Sequence, residues 1–335
     1  MRTSIAHRIG VGLLMACAIA GSAAVSGQTQ RSFVASTGVD TNPCTFAQPC
    51  RSFAAAMTQT NSGGEVIVVD SAGYGPVTIA QSVSIIAAPG VYAGISVFAG
   101  DGVTVSGIGS RVRLSGLTIN GQGGDTGIRF QQGAKLAVDH CTIADLNLYG
   151  IYVQAANSTW IVTDTTISGI AIYGLIAEAG AGTLDRVRVE NNFGDGILVN
   201  TSSNVLVRAL IRNSVATGNT GNGVSVFTGS GRTAVVTVEN SAANVNGGAG
   251  FAGTTSGGTT VLTLHGVVAT ANIGSGALAT GIGATVGVTA STLARNVNFG
   301  MEQTSGSVLR SLQNNTVEDN VAGATSGTIT NSLPI

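Results

Sequence analysis

Five side chains in this sequence have the types that could hold an acidic sugar and move a proton: Arg129, Tyr152, Asp125, Glu178 and Asp195. Arg129 and Tyr152 each stand two residues after a glycine, Gly127 and Gly150, in the phrases GIRF and GIYV. If those phrases are equivalent strands on neighbouring turns, the two side chains share one outward row, about 5 Å apart. Asp125, Glu178 and Asp195 then flank the same sheet at its two edges. An arginine can neutralise a sugar acid, and a tyrosine or carboxylate in hydrogen-bond reach can pass a proton. Arginine and tyrosine on such a face are also ordinary surface residues. The elements that carry them therefore have to be read first.

The glycine phrase recurs: NNFGDGILVN at 191–200, NTGNGVSVF at 219–227, NGGAGFAG at 246–253, NIGSGALA at 272–279 and NVNFGMEQ at 296–303. Taking Gly94, Gly127, Gly150, Gly174, Gly196, Gly223, Gly250, Gly276 and Gly300 as anchors, the intervals are 33, 23, 24, 22, 27, 27, 26 and 24. Periods of this size mark a solenoid. Frequent glycine and β-branched residues oppose a helical unit, and the LxxLxLxxN frame of leucine-rich repeats is missing. Each unit alternates like strand: Ile128/Phe130, Ile151/Val153, Ile197/Val199 and Val224/Val226, then Leu136/Val138, Val236/Val238, Leu262/Leu264 and Val286/Val288. Three short strands and three turns make one coil of a parallel β-helix. About ten coils of 22–27 residues stack to bury what no coil can bury alone.

Asn192, Asn219, Asn246, Asn272 and Asn296 each precede an anchor glycine by four residues. Asparagine tolerates the left-handed conformation of a tight corner, and stacked amides can satisfy buried turn groups. These residues are assigned a structural role. A second row is expected through Thr165, Asn213 and Asn240, with Cys141 at the same level. His140 and His265 are placed at equivalent corners with Asp164, Arg186, Arg212 and Glu239, which reads as a solvated turn. On the outward row, Ile176, Leu198, Ala252 and Leu278 predict an exposed apolar stripe, a surface for a partner.

Composition narrows the class. Of 335 residues 49 are glycine, only 9% are charged, and the net charge is −1. That balance gives no electrostatic handle for nucleic acid. MRTSIAHR followed by IGVGLLMACAIA and GSAAVSGQTQ reads as a signal peptide over 1–27, and no later apolar run is long enough to span a membrane. In an exported chain Cys44 and Cys50, six apart, can close a small disulfide. Two thiols without further ligands make a poor metal site, and Cys141 reads as a buried apolar group. No metal site is assigned: NGQGGDTG (120–127) lacks the repeated nine-residue calcium frame. Residues 28–61 form a lead-in whose stretch PCRSFAAAMTQT predicts a short capping helix with Phe53, Ala54 and Met57 on one face. Residues 62–335 form the β-helix, in which EVIVVD, YGPVTI and SVSIIA supply the first strands.

GGEVIVVDSAGYGPVTIAQSVSIIA, followed by GI-type coils, resembles the secreted bacterial right-handed parallel β-helix proteins of the pectate lyase-like superfamily. VASTGVDTNPCTFAQPCRSFAAA resembles their lead-in and cap. The resemblance implies an all-β, right-handed, single-stranded parallel β-helix, and a sugar chain lying along the outside of one sheet. That outward row reads Ser96, Arg129, Tyr152, Ile176, Leu198, Ser225, Ala252, Leu278, Glu302. It carries neither the paired carboxylates of a hydrolase nor the acidic calcium set of a lyase. The Asp-rich and His-Gly motifs of polygalacturonases and the Asp-Pro-His-Asp motif of alginate epimerases are also absent. The expectation is an exported, non-catalytic scaffold that binds extracellular glycan or cell-envelope partners. The alternative is a polysaccharide lyase or epimerase, and calcium enters only under that alternative.

Overall fold

Stacking the short alternating runs gives each one a partner on both sides and leaves one face to bury. The structure, a computed structural model, describes residues 28–201 and 206–331; the predicted signal peptide lies outside them. Every strand among the described residues pairs in parallel with a strand of a neighbouring turn. The three resulting sheets contain eleven, thirteen and eleven strands. The Thr126–Phe130 strand belongs to sheet 1, Lys135–Asp139 to sheet 2 and Thr142–Ala144 to sheet 3. The chain passes through the sheets in that order on each of about eleven turns, close to the expected ten. Inward residues form continuous columns. In sheet 1 one column runs Ile128, Ile151, Leu175, Ile197, Val224, Phe251, Ala277, Met301, all buried.

The predicted asparagine row is a buried hydrogen-bond ladder. The Asn192 Oδ1 accepts Ile170 N–H, and the Oδ1 of each later asparagine accepts both the backbone N–H and an Nδ2–H of the asparagine on the coil before. Asn192 donates to Asn219 at 3.2 and 2.8 Å, Asn219 to Asn246 at 3.1 and 3.0 Å, and Asn246 to Asn272 at 3.0 and 3.0 Å. Asn272 and Asn296 continue it to a sixth rung, Asn320, which the sequence reading omitted. The second Nδ2–H of Asn219, Asn246, Asn272 and Asn296 reaches Val189, Ala216, Ala243 and Ala269 carbonyls. The left-handed residue is not the ladder asparagine but the one before it: Asn191, Gly218, Val245, Ala271 and Arg295 have φ of 56, 66, 56, 55 and 57°. The asparagine holds the corner and its predecessor makes the turn. The anchor glycines answer to space rather than to φ. A Cβ on Gly223 would lie 2.8 Å from Asn246 Nδ2, from Ala243 Cβ and from the Gly250 carbonyl oxygen.

The first anchor was misplaced. Gly94 pairs with Thr118 in sheet 3; the sheet 1 position belongs to Gly102, 25 residues before Gly127. The second polar row also differs. Thr165 caps Cys141 N–H, Ser214 caps Val187, Ser241 caps Ser214, and Ser291 caps Val267. Asn213 and Asn240 stand one residue earlier, at the left-handed corner with His140, Asp164 and Arg186. His265 is a further residue back, in register with Glu239, so the two histidines are not equivalent.

That corner carries a ladder of charges. Arg186 forks both oxygens of Asp164 at 2.7 Å and reaches Asp185 at 2.9 Å; Asp185 also accepts from Arg212 and Asn213. Below them Arg113 and His140 meet Asp139. The Asn213 amide, then the two arginines, hold the Asp185 carboxyl below its ordinary range.

At the N-terminal end Ser52 caps the helix Phe53–Gln59, its Oγ accepting from Ala55 N–H. Phe53 and Ala56 are its buried residues; Ala54, expected among them, is exposed. Cys44 and Cys50 are joined in a disulfide, and Cys141 is free and buried. The lead-in also contributes the strand Thr29–Val34, which extends sheet 2 by pairing with Thr60–Val68.

Two measurements follow. Asn246→Ala strands two buried donors of Asn219, so stability to urea should fall by about 3 kcal/mol or more. Asn320→Ala, at the end of the ladder, should cost about 1 kcal/mol; equal losses would show that the ladder bears no load. Asp185→Asn should destabilise at neutral pH. A lowered carboxyl contributes stability above its unfolded pKa near 4 and loses it as pH falls through the folded value. The difference from wild type should therefore shrink below about pH 4, and a constant difference across that window would contradict the assignment.

Candidate functional site

Outward residues of sheet 1 form three parallel rows. Immediately before the anchor glycines run Asp101, Thr126, Tyr149 and Tyr173, with Asp195 on the next coil. Two residues after them run Thr78, Thr104, Arg129, Tyr152, Ile176, Leu198, Ser225, Ala252, Leu278 and Glu302. Ser96, placed at the head of this row by sequence, pairs instead with Asn120 in sheet 3. The third row carries Gln131, Gln154 and Glu178.

Arg129 and Tyr152 lie side by side as expected, the guanidinium carbon 5.2 Å from the ring centroid. The sequence reading missed the partner of Arg129. Asp101 takes Nε at 2.6 Å and Nη2 at 3.2 Å, and Nη2 also reaches Thr126 Oγ1 at 3.2 Å. This is the least exposed arginine–carboxylate pair among the described residues, with 20% and 15% of the two side chains exposed. Asp101 stands before Gly102 as Thr126 stands before Gly127, a position that an anchor at Gly94 does not reveal. On the next coil Tyr152 donates its hydroxyl to Glu178 Oε2 at 2.7 Å. Burial first, and then that bond and the Glu178 charge, raise the phenol above its ordinary range.

Tyr149 and Tyr173 stack with ring centroids 6.0 Å apart and planes within 6°, and Tyr149 also meets the Tyr152 ring at 4.8 Å. The hydroxyls of Tyr149 and Tyr173 have no hydrogen-bond partner among the described residues. Asp195 follows Tyr173 in the row. Its Oδ1 accepts from Asn222 N–H at 2.7 Å and Nδ2 at 3.2 Å. Burial raises its carboxyl despite those bonds. Asp125 is half-buried at the corner below Tyr149, whose N–H donates to its carbonyl; its carboxylate has no partner among the described residues. The structure thus joins Arg129, Tyr152 and Glu178 in one chain and leaves Asp125 and Asp195 on its flank. A groove of about 420 Å³, lined by Ala54, Met57, Pro76, Thr78, Gln81 and Asp101, opens beside the arginine pair.

As proton-transfer machinery the group is largely engaged. A guanidinium offers donors and no acceptor, and Asp101 fills its fork. Tyr152 holds its proton toward Glu178. The apolar members of the central row are not an exposed stripe: Ile176, Leu198 and Ala252 are buried and Leu278 is half-buried. Rows repeating at about 4.8 Å let neighbours on adjacent coils cover one another. Exposed apolar side chains lie instead one residue beyond the asparagine ladder, at Phe193, Ile273, Val297 and Val321. On the far corner Asp139, His140 and Asp164 bring possible metal-ligand atoms within 4.8 Å. Arg113 and Arg186 already pair those carboxylates, so the group reads as part of the charge ladder.

A family model described as the right handed beta helix region matches residues 61–209 and 101–264. No curated protein matches by sequence. Among solved structures, the A-module of an Azotobacter vinelandii mannuronan C-5 epimerase is 14% identical, with a TM-score of 0.57 over 81% of this chain and 91% of its own. A pectate lyase is 19% identical, with a TM-score of 0.54 over 92% of this chain and 79% of its own. A protein solved in complex with xylose is 8% identical, with a TM-score of 0.58 over 82% of this chain and 70% of its own. At these identities the likeness is one of fold. With the family model covering most of the chain, the protein belongs to the right-handed β-helix family.

Proposed function

We propose that the protein is an exported β-helix scaffold whose sheet 1 face binds an extracellular glycan without cleaving it. The observation that carries this is the tyrosine group. Tyr149 and Tyr173, stacked on adjacent coils with ring centroids 6.0 Å apart, carry two hydroxyls without partners among the described residues, and Tyr152 lies against Tyr149 on the same strand. Amphipathic aromatic side chains suit a sugar, which offers C–H faces and hydroxyls together. The spacing is comparable with the length one pyranose adds to an extended chain. The named activities of the similar folds, on mannuronan and pectate, and the xylose complex support a glycan as the ligand class. The Cys44–Cys50 disulfide and the signal-like leader support export. The pairing of Arg129 with Asp101 and of Tyr152 with Glu178 supports binding over chemistry.

A second reading, a polysaccharide lyase or epimerase, draws on the same chain of Asp101, Arg129, Tyr152 and Glu178 beside a groove. Affinity electrophoresis through gels containing neutral, amino and uronate polysaccharides separates the two. Retardation by at least one polysaccharide is expected, with Tyr149→Ala and Tyr173→Ala each weakening it about fivefold or more. The absence of retardation in every gel would end the binding reading. Uronates incubated with the protein, with and without calcium, should yield neither unsaturated ends nor a changed ratio of C5 epimers. The appearance of either product, and its loss in Arg129→Ala, would establish the enzyme instead.

A further inference from the structure

Resting on the glycan-binding reading, the charges around the tyrosines specify which glycan. Arg129 is the one cation in the three outward rows of sheet 1 among the described residues, and Asp101 neutralises it through two hydrogen bonds. The remaining charges are carboxylates. Asp195 follows Tyr173 on one flank, with Asp125 at the corner beneath Tyr149; Glu178 stands on the other flank, and Glu302 lies farther along the central row. Arg232, at the far turn two coils beyond Glu178, is turned onto the Thr201 carbonyl at 2.7 Å. Arg188 lies in sheet 3, paired with Glu190.

A uronate chain laid on this face would bring a negative charge with every sugar. It would meet carboxylates on both flanks and no free cation within the outward rows of sheet 1 to offset them; Arg111, Lys135 and Arg208, whose side chains have no partner among the described residues, stand on sheet 2, beyond the corner. An ammonium group meets the opposite situation. It has three donors and no acceptor. The face offers the Oε1 of Glu178, the carboxylate of Asp125, and the hydroxyl oxygens of Tyr149 and Tyr173, none of which has a partner among the described residues. We infer that this face takes a cationic glycan, a chain of sugars with free amino groups, in preference to a polyuronate. Tyr149 and Tyr173 then hold the ring hydroxyls, while Asp125 and Glu178 hold the ammonium groups.

The probes are glucosamine oligomers, their N-acetylated counterparts of equal length, and galacturonate oligomers, titrated calorimetrically into the full protein at low and physiological salt. The glucosamine oligomer should bind about fivefold or more tightly than the acetylated one at low salt. Raising the salt should shrink that ratio, and the galacturonate oligomer should bind weakest. In Asp125→Asn and in Glu178→Gln the ratio of glucosamine to acetylated affinity should fall toward one. In Glu239→Gln, on sheet 2, it should not move. A ratio near one in the wild type, tighter binding of galacturonate, or a ratio unmoved by both site variants would overturn the inference while leaving glycan binding intact. Binding of none of the three oligomers would overturn both.

Discussion

Everything in this rod depends on the coil-to-coil hydrogen bond between parallel strands. It sets neighbours about 4.8 Å apart and places each residue directly against its counterparts on the turns before and after. A position therefore has to be compatible with its own column. Asparagine is, because its amide both donates and accepts, and a column of amides can close on itself. Glycine is required where the asparagine column takes the space a Cβ would need. Trp160 fits because the next coil offers Gly182, where a Cβ would lie 2.0 Å from the indole. A column of like charges would not survive, and the corner with Asp164, Arg186 and Asp185 alternates sign.

The same constraint explains how much the sequence revealed. The period, the inward columns and the asparagine row were legible because stacking forces each unit to repeat the same residue types at the same offsets. What a repeat cannot show is the phase of an irregular first turn. AGISV at 93–97 has the glycine and alternation of a sheet 1 strand but runs in sheet 3. Setting the anchor there displaced Ser96 and hid Asp101. Single-residue offsets were also invisible. Asparagine is the residue expected in the left-handed region, yet the column needs its amide inside, so Val245 and Ala271 make the turn at φ of 56 and 55°. Exposure was the third gap. An outward residue in a strand of alternating pattern is normally solvated, but Ile176 and Leu198 are closed over by their own column.

The candidate site is best understood as a column feature that departs from the rule. Asp101, Arg129, Tyr152 and Glu178 lie on four successive coils, each touching the next by ion pair, cation–π contact and hydrogen bond. Such a chain locks register, and on that account alone it would be one more ladder. The asparagine and corner-charge ladders, however, turn their polar groups onto each other. The face around Arg129 does not: among the described residues, two tyrosine hydroxyls and the Asp125 carboxylate are left without partners beside it. The two ladders close their polar groups along the column, whereas this face leaves acceptors open toward solvent. The open groups are acceptors, so a partner of this face has to bring donors to them.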